Sequence, residues 1–160
     1  MRMINKSLCL WLMIILPVFI GPSAYAQKAV SEHGFALVNI AIQTAYGDEL
    51  SLTVEVAKTS RQRAKGLMGR KKLTDSDGML FMWPDTAIRQ FWMKDTPLSL
   101  DILFFDDKGT LVHMAERQKP YSEALIPSLM PVRYVLEIPG GDAKRRKIAL
   151  GDYFAKVPNY

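Results

Sequence analysis

Apolar and polar residues alternate along much of this chain with a period of two, which predicts short strands. Val38, Ile40 and Ile42 share one parity within Phe35 to Thr44, and Leu50, Leu52, Val54 and Val56 alternate with Ser51, Thr53 and Glu55. Successive side chains on a strand point to opposite faces, so each segment has one apolar side. The Gly47-Asp48-Glu49 turn between them makes an antiparallel pair. The period then changes. Thr59 or Ser60 can cap a short helix over 61–68, since a hydroxyl there accepts from the free amides of the first turn. Ala64, Leu67 and Met68 would pack that helix, while Gly66 and Gly69 keep it short.

Asp75-Ser76-Asp77-Gly78 is a turn cluster leading into Met79 to Trp83, an apolar run that Pro84 is expected to stop as a strand buried on both faces. The densest stretch is Phe91 to Phe105, FWMKDTPLSLDILFF. It reads as a core strand with a polar anchor, with Leu98, Leu100, Ile102 and Phe104 on one parity and Ser99, Asp101, Leu103 and Phe105 on the other. Asp106 to Gly109 closes a hairpin, and Leu111 to Glu116 returns as its partner strand. Gln118 to Pro131 carries three prolines and is expected as a surface connection. Tyr134, Leu136 and Ile138 alternate with Arg133, Val135 and Glu137; Pro139-Gly140-Gly141 ends this strand, and Gly151-Asp152 turns into a closing strand over 153–157. Many short strands with glycine and proline turns predict a mainly β fold, a single compact sandwich or barrel with one short helix near 60–68.

The first residues modify this picture. Arg2 and Lys6, an apolar run over 8–20, and Ala24-Tyr25-Ala26 have the layout of a secretory signal peptide. Residues 1–26 are therefore expected to be cleaved, leaving a flexible leader over 27–34 and one β domain over 35–160. The expected location is outside the cytoplasm, periplasmic or secreted. The apolar run is shorter than the ~20 residues of a spanning helix, so no membrane segment is expected after cleavage. Cys9, the chain's one cysteine, leaves with the signal, which excludes disulfides and thiolate chemistry in the mature protein. Loss of Arg2 and Lys6 lowers the formal net charge from +5 to +3. That mild excess suits a soluble monomer, and export argues against a nucleic-acid partner.

Candidate chemistry gathers on a few polar residues. Arg70, Lys94, Asp95, Asp101 and Glu137, with Trp92 and Trp83 as flat apolar faces, could line a cleft for a small polar or sugar-like ligand or an envelope component. The same charges could instead be internal ion pairs, such as Asp101 to Arg70 or Lys94, because a buried carboxylate needs partners. Asp101 and Glu137 could act as the paired carboxylates of an envelope glycoside hydrolase, if their separation suited it. His113 and Met114, with the other methionines, are a candidate copper site; methionine more often fills core gaps. No cofactor is expected. Arg61, Arg63, Lys65, Arg70, Lys71 and Lys72 form one basic block and residues 144–147 another, either of which could meet a polyanion or simply face solvent. No serine elbow or paired-histidine spacing supports a hydrolase triad or a zinc protease.

Several phrases carry a family resemblance. Gly66-Leu67-Met68-Gly69-Arg70, Gly78-Met79-Leu80-Phe81, Phe91 to Thr96, Leu100-Asp101-Ile102, Tyr134-Val135-Leu136-Glu137 and Gly151-Asp152 occur in this order. Together they resemble the domain of unknown function 192 family (DUF192) across about Leu50 to Val157. The resemblance implies a compact β fold similar to a jelly roll or barrel, usually exported, and brings no agreed activity. One position departs from it: Asp95 stands where the family phrase usually has asparagine, so a group that could donate and accept now only accepts. The ligand-binding set expected from these residues is Arg70, Trp92, Lys94, Asp95, Thr96, Asp101 and Glu137, on an exported binding domain that is not an enzyme.

Overall fold

The structure, a computed structural model, describes residues 30–156. The expected signal segment and Val157 lie outside the described residues. Strands β1 (Ala36–Gln43) and β2 (Glu49–Ala57) form the expected antiparallel pair, with Val38 opposite Val54 and Ile40 opposite Leu52. Helix α1 (Ser60–Lys65) follows. Strands β3 (Gly78–Ala87), β4 (Gln90–Phe91), β5 (Leu100–Phe105), β6 (Leu111–Gln118), β7 (Ile126–Pro127) and β8 (Val132–Pro139) come next, then helix α2 (Asp142–Arg145) and β9 (Tyr153–Phe154). The fold is mainly β. A seven-stranded sheet has the order β6-β5-β8-β3-β2-β1-β9, and β4 pairs with β7 in a separate two-stranded ribbon.

The large sheet curls into a half-barrel. Its two edges touch at the start of β6, where the amide of Leu111 donates to the carbonyl of Asp152 and that of Phe154 to Gly109, while β9 pairs along its length with β1. Residues of one parity from all seven strands fill the hollow, among them Ile42, Val54, Leu80, Leu103, Leu111, Leu136 and Phe154. The other parity forms a second core on the outer face, with Met79, Phe81, Ile102, Phe104 and Val135. That face is covered by Leu67 beyond α1, by Met93 and by Ile126 of β7. The period-two patterns of β5 and β8 thus serve two cores rather than one core and solvent.

Five expectations change. Phe91 to Phe105 is not one strand: β4 ends at Phe91, a turn follows, and β5 begins at Leu100. Pro84 does not stop β3, which runs on to Ala87; a proline lacks the N–H for a ladder bond, and the β3–β8 register shifts between Met82 and Ala87 to accommodate it. The connection over 118–131 contains β7. Helix α2, four residues long, has too little periodicity to announce itself. Residues Val30 to Gly34, expected as leader, fold back, with Val30 bridging Ala36 and Glu32 bonded to Thr74 and Asp75.

Candidate functional site

The outer core opens into a cleft of about 420 Å³. One wall is α1 and the loop after it, with Ser60, Arg63, Lys65 and Met68; aromatic side chains of β3 and β4, Phe81, Trp83 and Phe91, form another. Trp92 and Thr96 border it, and Glu137 of β8 reaches it from the sheet. The helix is held by a reciprocal cap: Thr59 Oγ1 accepts from the amide of Gln62, and Gln62 Oε1 accepts from the amide of Thr59. The turn over 93–96 is fixed on both sides. Asp95 O accepts from the amide of Gly69, and Thr96 O accepts from that of Tyr121.

Glu137 is the unusual group. It lies beside Met79 of β3 and Ile102 of β5, is 4% exposed, and its side chain makes no hydrogen bond or ion pair with any described residue. Burial disfavours the charged form, and no donor offsets it, so its pKa is pushed up from 4.5 to about 8. The backbone beside it is equally tight: a side chain at Gly78 would collide with the carbonyl oxygen of Glu137, so glycine is needed for β3 to approach β8 there.

The other charges are satisfied elsewhere. Arg70 does not pair with Asp101; its guanidinium makes a bidentate contact to Glu55 at 3.1 and 2.8 Å, both groups buried, with Phe35 beneath it at 5.6 Å. Asp101 is fully buried and accepts three backbone amides, from Arg117 at 2.7 Å, Gly141 at 2.8 Å and Ala143 at 2.9 Å. The amide of Arg117 is available because β6 bulges against β5 between the Leu100 and Ile102 pairings. Lys94 sits over the ring of Trp92 at 5.3 Å. Asp95 is exposed with φ of 52°, a left-handed conformation that aspartate tolerates better than most residues. The structure therefore gathers Trp92, Thr96 and Glu137 at the cleft and places Arg70 and Asp101 in internal contacts.

These positions bear on the two other chemistries. Asp101 lies opposite Ile138, and Glu137 lies opposite Ile102, so the two carboxylates emerge on opposite faces of the sheet. They do not flank a common bond as glycoside hydrolysis requires. His113 stacks on Phe104 of the outer core at 5.4 Å, whereas Met114 packs against the inner core. Met79 and Met82 likewise divide between the two cores. The geometry gives the copper reading no shared ligand set.

Sequence reasoning missed Arg63 as part of the site. Its guanidinium donates to the carbonyls of Lys58 and Met82 and to Ser60 Oγ, and lies 5.1 Å from the ring of Trp83, with Arg89 at 4.7 Å from the same ring. Its place four residues after the cap Thr59 on a short helix offered no distinguishing signal. In the second basic block, Arg145 and Arg146 are both bonded to Asp142.

A curled β domain with a cleft between its outer sheet face and a short capped helix is thus the class of protein that fold and site define. The chain belongs to the DUF192 family, an uncharacterised family whose model matches residues 41–155. Among solved structures it is similar to a protein of unknown function from Novosphingobium aromaticivorans, at 34% identity and a TM-score of 0.76 over 82% of this chain and 94% of that one. It is also similar to a protein from Sinorhizobium meliloti described as a candidate transcription regulator, at 41% identity and a TM-score of 0.72 over 75% of this chain and 93% of that one. Comparison with curated proteins found no match.

Proposed function

We propose that this protein is an exported binding domain, without catalytic activity, that takes a small polar, sugar-like ligand in the cleft beside Trp92 to Thr96. The observation that carries this reading is Glu137: a buried carboxyl group with no partner among the described residues lines an open cleft. Leaving such a group unpaired is costly, and a bound ligand would supply its missing hydrogen bonds. Trp92, 42% exposed at the border, offers the flat face on which a sugar ring stacks. Export rests on the N-terminal signal layout. The description attached to the Sinorhizobium relative is that protein's own; here the helices among the described residues are six and four residues long, short for an element that reads a DNA groove.

A thermal-shift series with neutral and acidic monosaccharides tests the reading. Ligands that bind the native state raise the melting temperature, and Trp92→Ala, which removes an exposed ring and leaves the core intact, should abolish the rise. A series in which no sugar shifts the wild type would overturn it.

A further inference from the structure

The charges around the cleft narrow the ligand. Arg63 and Lys65 line it, and neither forms an ion pair with a described residue. The acceptors that hold Arg63 are two carbonyls and a hydroxyl, which fix the guanidinium without cancelling its charge. Glu137 is the one acidic residue among those lining the cleft. The charged groups on the surrounding elements are Arg61, Arg63 and Lys65 of α1, Lys94 and Asp95 of the 93–96 turn, the Asp85–Arg89 ion pair with Arg89 over the Trp83 ring, Arg133 of β8 bonded to the Trp83 carbonyl, and the Glu55–Arg70 pair one strand beyond Met79; β5 brings Ile102 beside Glu137. Glu55 is neutralised by Arg70, so the field at the cleft is positive at the rim, with an uncharged carboxyl within.

An amine would meet two cations at that rim and is disfavoured. A neutral sugar would leave the cations unused. On the binding reading above, we propose that the ligand is a hydroxylated carboxylic acid of the sugar-acid class, its carboxylate toward Arg63 and Lys65 and its hydroxyls bonded to the carboxyl of Glu137. A protonated carboxyl suits this task because it both donates to one hydroxyl and accepts from another. An ionised Glu137 would repel the ligand's carboxylate, so binding weakens as the solution becomes alkaline.

Titration of the wild-type protein with D-glucuronate, D-glucose and inorganic phosphate, followed by the amide resonances of Trp92, Thr96 and Glu137, tests the proposal. Glucuronate should bind at least about tenfold more tightly than glucose at pH 6, as expected for charge-assisted contacts. Lys65→Gln, at an exposed position whose side chain bonds to no described residue, should weaken glucuronate by about three- to fivefold and leave glucose unchanged. Between pH 6 and 9.5 glucuronate affinity should fall for the wild type and stay level for Glu137→Gln, which cannot ionise. Glucose bound as tightly as glucuronate would overturn the sugar-acid assignment while keeping the sugar-binding reading. Phosphate perturbing the same amides as strongly as glucuronate would reduce the site to a general anion cleft and overturn the assignment. No perturbation by any of the three would overturn both.

Discussion

Glu137 shows how far one side chain departs from what its residue type suggests. An acid whose pKa rises from 4.5 to about 8 holds its proton more tightly in the folded protein than in the unfolded chain. Its contribution to stability is fully present below pH 4.5 and is lost as pH rises through about 8. Between those limits the unfolded chain has released the proton and the folded one has not. Stability falls there by up to ~1.4 kcal/mol per pH unit, a few kcal/mol in all. Glu137→Gln should remove this slope, matching the wild type near pH 5 and exceeding it at pH 8 to 9. Denaturant unfolding at several pH values would show it; parallel profiles for the two proteins would mean that Glu137 is already ionised at neutral pH. The residue was visible in the sequence as a lone acid on an apolar strand. Its lack of a partner was not, because partners come from other elements.

Helix α1 is short, and its stability depends on its ends. No acidic residue occupies its first turn, so the Thr59–Gln62 box does most of the capping. Thr59→Ala should cost about 1 kcal/mol and, because α1 carries Arg63 and Lys65, should loosen one wall of the cleft. A lowered melting temperature together with weaker ligand shifts would be the signature; an unchanged melting temperature would show that tertiary packing alone holds the helix. The helix could be foreseen, since hydroxyl caps and terminating glycines act within a few residues. Strand β3 could not be followed past Pro84 by the same means. Local chemistry marks the missing donor, but only the neighbouring β8 determines whether the sheet tolerates it.

Asp101 joins elements far apart in the chain and belongs to the scale of the whole molecule. Through three amides it ties β5 to the bulge of β6 and to the start of α2. Asp101→Asn would turn an amide N–H₂ toward at least one backbone donor, and loss of the charged hydrogen bonds should cost roughly 2 kcal/mol or more. Equilibrium unfolding would report the loss, and ligand binding to the folded fraction should persist, since Asp101 is outside the cleft. Loss of binding with stability intact would instead make it a site residue.

The alternation of residue types by itself determined much of this protein. It marked seven of the nine strands among the described residues, the capped helix and the hairpin at Gly109, because each depends on neighbours within a few positions. Tertiary structure decided which faces meet. Placing Ile102 beside Glu137 and Ile138 beside Asp101 sends two acids of similar appearance to opposite sides of one sheet. One finds three amides and becomes part of the framework; the other finds none and is left, uncharged, at the cleft. Pairing register sets that outcome, and register is fixed by contacts between distant strands that no local pattern encodes.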